Sequence, residues 1–276
     1  MTTPPPQCIC EAFGAAGEPV LLAGGQGRTW LVGDRVLKPV DNRAEHDWVS
    51  DVFAGWRHHD RVRVPAPVRS RRGGWVHDGW AAHRHLAGRD ARMQQDAALI
   101  RATSEQFHHA ICHLAPPQFL AERDDPWSYG DTVAWAGAEP VGGAPTLAQI
   151  ARLRAGFEPV AASSQVIHGD IGGNVLVTDD GTPGVIDWPP YFRPVGFALA
   201  VAAGDAVRWE GVPLSFIDAW ADIDDWYQLV ARALVYRLAT AGVGQQSGHG
   251  ALTSDDHARA SEPAVAGVLE RIAATT

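Results

Sequence analysis

Over the first 83 residues the apolar positions come as short runs broken by glycine-bearing turns, which predicts a small antiparallel sheet. Residues 19–23 and 29–32 read as strands flanking Gly24-Gly25-Gln26-Gly27, and Gly33-Asp34-Arg35 turns the chain into a third strand over 36–40. Two further strands, 64–69 and 75–83, are split by Arg71-Arg72-Gly73-Gly74. One stretch departs from this rhythm. From about 43 to 56, Trp48, Val49, Val52 and Phe53 recur at three- and four-residue spacing, which predicts a helix. The proline-rich residues 1–10 read as a disordered start.

Beyond residue 83 the helical period dominates. Residues 93–114 place Ile100, Thr103, Phe107, Ile111 and Leu114 on one helical face. Thr146-Leu147-Ala148-Gln149 has the pattern of a capping box, and Gly156 suits the end of that helix. Residues 174–188 read as a strand pair about an Asp180-Gly181 turn. Residues 225–241 and 255–274 read as two more helices, with 242–250, rich in glycine, as a flexible linker. The expected fold class is therefore α+β and bilobal: a small β-rich lobe with one main helix over 1–83, and a larger, mostly helical lobe over 84–276. Ligands commonly sit in the clefts of such layouts.

Composition narrows the classes. The 276-residue chain is 46% hydrophobic, ample for a core, and its net charge of −9 argues against nonspecific binding to nucleic acid or anionic membranes. The charge is uneven, about +2 over residues 1–86 and −11 over the rest. Three cysteines without framework spacing point to a reducing compartment. There is no signal-peptide pattern, and the longest apolar stretch, about 195–204, falls far short of the roughly 20 residues a membrane span requires, so a cytoplasmic protein is expected. The eleven tryptophans are scattered through apolar patterns and read as core. His109, Cys112 and His113 share a helical face, but within Phe107-His108-His109-Ala110-Ile111 they read as polar neighbours of a core helix.

Two features carry chemistry. An apolar strand ends in Val166-Ile167-His168-Gly169-Asp170, a short glycine loop leads to Asn174, and a second apolar strand delivers Val185-Ile186-Asp187-Trp188. This arrangement suits a catalytic carboxylate, Asp170, beside hard oxygen ligands for Mg²⁺, Asn174 and Asp187. Separately, of 23 basic side chains only Lys38 is a lysine. It ends the strand-like run Val36-Leu37-Lys38 just after a glycine-bearing turn. A compact point charge on a flexible stem suits contact with α/β-phosphates in a tight site better than a planar guanidinium does.

The order of glycine-rich turn, strand lysine, helix glutamate, His168-Gly169-Asp170…Asn174 and Ile186-Asp187-Trp188 resembles the aminoglycoside phosphotransferase and choline kinase-like family, over residues 20–190. Gly24-Gly25-Gln26-Gly27, Leu37-Lys38-Pro39-Val40 and Asp187-Trp188-Pro189-Pro190-Tyr191 look most like an uncharacterised actinobacterial branch of it. The resemblance implies a protein-kinase-like fold and an ATP- and Mg²⁺-dependent transfer of the γ-phosphate to a hydroxyl of a small molecule, such as an aminoglycoside or amino sugar. It implies that Gly24, Gly25 and Gly27 cover the phosphates and that Glu45 pairs with Lys38. His83 to Leu86 would be the hinge that offers backbone groups to adenine. Asp170 would be the base, His168 the brace of its loop, and Asn174 and Asp187 the metal ligands.

The chain departs from the family pattern at one point: three residues, Ile171, Gly172 and Gly173, separate Asp170 from Asn174, where the family has four. Adjacent glycines allow a tighter loop. The shortening also leaves open a nucleotide-binding pseudokinase that acts through protein contacts. A peptide or protein kinase is a further alternative, disfavoured by the short, proline-dense segment 187–193. Arg28 and Arg193 would serve an anionic acceptor, or else lie in salt bridges.

Overall fold

The structure, a computed structural model, describes residues 3–23, 27–135, 137–246 and 252–275. Its elements in chain order begin with α1 (Gln7–Ala12), β1 (Val20–Leu21), β2 (Trp30–Val32), β3 (Arg35–Pro39), α2 (Arg43–Ala54), β4 (Pro67–Val68), β5 (Val76–His77), β6 (Trp80–Arg84) and β7 (Arg89–Asp90). There follow α3 (Met93–Ile111), α4 (Pro126–Trp135), α5 (Ala144–Ala155), β8 (Ser164–His168), β9 (Val175–Val177), β10 (Gly184–Val185) and β11 (Pro190–Pro194). The chain closes with α6 (Gly196–Trp209), α7 (Trp226–Gln246) and α8 (Ser254–Thr275). Contacts divide it into two compact units. One comprises Met1–Asp90 with Asn174–Trp188; the other comprises Ala91–Gly173 with Pro189–Thr276.

The first unit is built on an antiparallel sheet in the order β1-β2-β3-β6-β4, with β5 also paired to β6. The pairing of β3 with β6 sets Lys38 opposite Ala81 and Val36 opposite His83, so these four side chains share one face. Leu37 and Ala82 point the other way, into a core with Val32, Ile9, Cys10 and Phe13. The last three belong to α1 and its C-terminal cap, so the expected disordered start is instead a short helix. Its apolar residues cover the sheet face that would otherwise lie bare.

The expected strand pair over 174–188 is present as β9 and β10, with Leu176 opposite Gly184. It belongs to the first unit rather than falling after an 83/84 boundary. β7 pairs with β9, and Arg63 bridges to Gly184. Trp188 then stacks on Phe53 of α2, ring centroids 5.6 Å apart, and tilts against Trp48 at 5.3 Å.

The second unit is helical around α7. Between Leu229 and Ala239 the side chains of α7 are buried almost without interruption, the mark of a helix packed on all sides, with Arg232 and Arg237 its charged members. It packs against α4, α5, α6 and α8. The helix runs on through Gly242, where a flexible linker was expected. A Cβ at Gly242 would lie 2.0 Å from the Val141 carbonyl oxygen, so the glycine marks a close approach and not a break. Residues 247–250 of the expected linker lie outside the described residues. The expected cap at Thr146 is also displaced: α5 starts at Ala144, and the Thr146 hydroxyl donates to the Ser254 carbonyl on α8 at 3.0 Å. The strand β8 pairs with β11 over five residues, with His168 opposite Pro190.

Candidate active site

In the first unit Lys38 and Asp187, 149 residues apart in sequence, form an ion pair through Nζ and Oδ1. Sheet register sets Lys38 on its face. Asp187 follows β10 with a left-handed backbone, φ 47°, between the buried Val185 and Trp188. Asn174 is tied to the same hairpin, its carbonyl accepting from the Ile186 N–H at 3.0 Å. A carboxylate and an amide oxygen on one short hairpin make a hard donor set of the kind Mg²⁺ takes. Glu45, the expected partner of Lys38, stands in the first turn of α2, where its N–H donates to the Asn42 cap at 3.1 Å.

Beside Lys38 lie two imidazoles. His46 of α2 meets His83 of β6 edge to face at 5.4 Å, and its Nε2 pairs with the Ser50 hydroxyl at 3.2 Å. Burial, then the charge of Lys38, pushes the His46 pKa down to about 4 and that of His83 down to about 3. Both are therefore neutral at pH 7. Beyond His83, the Arg84 and His85 N–H groups donate to the Ala66 and Asp34 carbonyls, whereas the Leu86 N–H has no partner among the described residues. Gly27 takes a left-handed backbone, φ 68°. Gly24 and Gly25 lie outside the described residues.

In the second unit a line of buried hydrogen bonds presents Asp170. His108 of α3 donates from Nδ1 to the Ser104 carbonyl at 2.7 Å. That leaves its Nε2 to accept the His168 N–H at 3.0 Å. His168 in turn accepts the Asp170 N–H on its Nδ1 at 3.1 Å. Burial, then the neighbouring His168, drives the His108 pKa down to about 3, which keeps the acceptor nitrogen unprotonated. Gly169, between them, packs its Cα on a ring: a Cβ there would lie 2.2 Å from the Tyr191 Cδ2. The Asp170 side chain accepts from Arg237 Nη2 at 2.5 Å.

Sequence reasoning missed His46, His108 and Arg237. For Arg237 a signal existed, a charge in the middle of the apolar run of α7. His108 follows Ser104 and Phe107 on the buried face of α3, but its acceptor role depends on a partner 60 residues away. Arg28 and Arg193 both lie in salt bridges, with Asp41 and Asp131 respectively.

No family model and no curated protein matches this chain. Solved structures do, and they identify the architecture: this is a protein-kinase-like fold. A thermostable mutant of aminoglycoside phosphotransferase APH(4)-Ia in its apo form superposes with a TM-score of 0.64 at 16% identity, over 95% of this chain and 97% of that one. The same enzyme in ternary complex with AMP-PNP and hygromycin B gives 0.63 at 17% identity, over 97% and 98%. Choline kinase LicA from Streptococcus pneumoniae gives 0.63 at 11% identity, over 96% and 98%. At such identities the likeness establishes the fold. Among the described residues no helix is long and apolar enough to cross a membrane.

Proposed function

We propose that the chain is an ATP- and Mg²⁺-dependent kinase acting on a hydroxyl of a small molecule, with an aminoglycoside, an amino sugar or a similar amine-bearing alcohol as the acceptor class. The observation that carries this reading is the ion pair between the chain's single lysine, Lys38, and Asp187. A second carboxylate, Asp170, on a loop braced by His168 and His108 supports it.

The roles follow from chemistry. Lys38 contacts the α/β-phosphates, and Glu45 near the start of α2 is the second acidic group assigned to it. Gly24, Gly25 and Gly27 cover the phosphates with backbone N–H groups. The Leu86 N–H and the neutral His83 take the adenine end. Asn174 and Asp187 would hold the magnesium, which would supply neutralisation of polyphosphate charge. Asp170 accepts the proton of the acceptor hydroxyl as that oxygen bonds to the γ-phosphorus and the bond from phosphorus to the ADP oxygen breaks. Catalysis on this account is chiefly positioning and electrostatics.

Titrating ATP into the full chain by calorimetry, with and without Mg²⁺, tests the nucleotide half. The expected result is Mg²⁺-dependent binding that Asp187→Ala abolishes; no binding to the unaltered protein would overturn the reading. The three-residue spacing between Asp170 and Asn174 favours a second reading, a nucleotide-binding pseudokinase. It predicts the same binding with no ADP formed in the presence of any acceptor.

A further inference from the structure

The buried run of α7 carries two charged side chains, Arg232 and Arg237, and nothing in the roles above uses Arg237. Its guanidinium reaches two carboxylates. Nη2 donates to Asp170 Oδ1 at 2.5 Å and to Asp205 Oδ2 at 2.5 Å, and Nε donates to Asp205 Oδ2 at 2.8 Å. Asp205, on α6, is held in turn by Arg208 one helical turn on, Nη1 to Oδ1 at 3.0 Å. Arg208 Nη2 lies 3.2 Å from His257 Nδ1 on α8. Along this line the side-chain exposure is 1% for Arg208, 26% for Asp205, 16% for Arg237 and 45% for Asp170. The network is anchored in the core and emerges at Asp170.

A buried guanidinium is a costly way to fill space, since an apolar side chain of the same volume usually serves stability as well or better. Burial disfavours the charge of Arg237, but Asp205 and Asp170 outweigh it, so the group stays protonated. Meanwhile the main chain of Asp170 is fixed by its N–H on His168, and orienting its carboxylate is a separate task. A charge-assisted bond from a guanidinium locked by a second carboxylate does that.

On the kinase reading above, we propose that Arg237, clamped by Asp205, is a positioning residue that holds the Asp170 carboxylate for proton transfer. It touches neither nucleotide nor acceptor in this role. The proton still passes from the acceptor hydroxyl to Asp170, while the phosphoryl group leaves ADP for the acceptor oxygen.

The test uses the full chain with Mg-ATP and three acceptors, hygromycin B, choline and water, following ADP release. Arg237→Gln is expected to lower kcat by about tenfold to a hundredfold, the order of loss for a displaced catalytic group, with KM for ATP changed by less than about twofold. Asp205→Asn should lower kcat in the same sense, and the double variant should be no slower than Arg237→Gln alone, because the two act as a unit. Arg237→Lys, which keeps the charge, should recover part of the loss. A purely structural arginine would instead lower the melting temperature while leaving kcat unchanged well below it, and that outcome overturns the proposal. Additive single effects overturn it as well. If the unaltered protein releases no ADP with any of the three acceptors, the kinase reading itself fails, and this inference falls with it.

Discussion

The molecule holds two candidate site carboxylates, Asp187 and Asp170, through cations of different burial. Asp187 meets Lys38 in a pair whose side chains are 47% and 31% exposed. Asp170 meets Arg237, whose side chain is 16% exposed and which is itself clamped by Asp205. An exposed pair contributes about 0–1 kcal/mol, so its members separate at little cost. Asp170 is itself nearly as exposed as Asp187, but the guanidinium it meets is mostly buried and already held by Asp205, so this pair is set from inside the fold. On the kinase reading proposed above, the looser pair suits residues that give way to a nucleotide, and the held carboxylate suits a base that stays in place.

The largest effect expected is on turnover. Asp170→Ala should reduce ADP formation by about a thousandfold or more, within the range for a lost general base, while the Kd for Mg-ATP stays within about twofold. Equal turnover in the variant removes Asp170 as the base and with it the contrast. Next is the aromatic anchor of the β9–β10 hairpin. Trp188 is buried against Phe53 and Trp48, and Trp188→Ala should cost about 3–5 kcal/mol in urea unfolding. A loss below about 1 kcal/mol would show that the hairpin is held by its strand pairing alone.

Acid separates the units further. His46, His83 and His108 have folded pKa values of about 4, 3 and 3, below their ordinary 6.5. The unfolded chain therefore takes up protons first as pH falls. Stability is complete above about pH 6.5 and is lost progressively down to pH 4 for His46 and pH 3 for the other two, at up to about 1.4 kcal/mol per pH unit for each. Lys38→Met should soften this acid loss, since the lysine charge is the second cause at both His46 and His83. His108 feels burial and His168, so the second unit should be unaffected. Urea midpoints at pH 7 and pH 5 for the two proteins check this; an identical pH dependence would mean Lys38 does not act on the imidazole pair. The smallest effect is that of Lys38→Met at pH 7, expected to change stability by less than about 1 kcal/mol while weakening Mg-ATP binding by tenfold or more. Calorimetry and urea unfolding on one preparation give both numbers.

Much of the architecture was legible because period and burial agree. The strands 29–32 and 36–40 were read within a residue of β2 and β3, and α2 and α3 announced themselves by apolar spacing. α6 did not. From Phe197 to Ala203 every side chain is buried, so no polar face marks the helical period. α1 was hidden by the prolines before it. Thr146 misled because a capping pattern is local, whereas its hydroxyl answers a carbonyl 108 residues away. The same divide runs through the site. Lys38, Asp170, Asn174 and Asp187 stood out as polar residues at the ends of apolar runs. The pairing of Lys38 with Asp187 and of Arg237 with Asp170 joins residues 149 and 67 apart, which spacing along the chain does not encode.

The first unit is discontinuous: its first segment ends at residue 90, but its hairpin arrives with residues 174–188. A protein made from its N-terminus must therefore carry an unfinished unit through the synthesis of 83 more residues, with Phe53 lacking Trp188 and β7 lacking β9. At roughly 5–20 residues per second that interval lasts several seconds, long compared with the folding of a small sheet. The half-built unit exposes strand edge and aromatic surface throughout, so the ribosome-bound intermediate ending near residue 173 is where chaperone demand on this protein should peak.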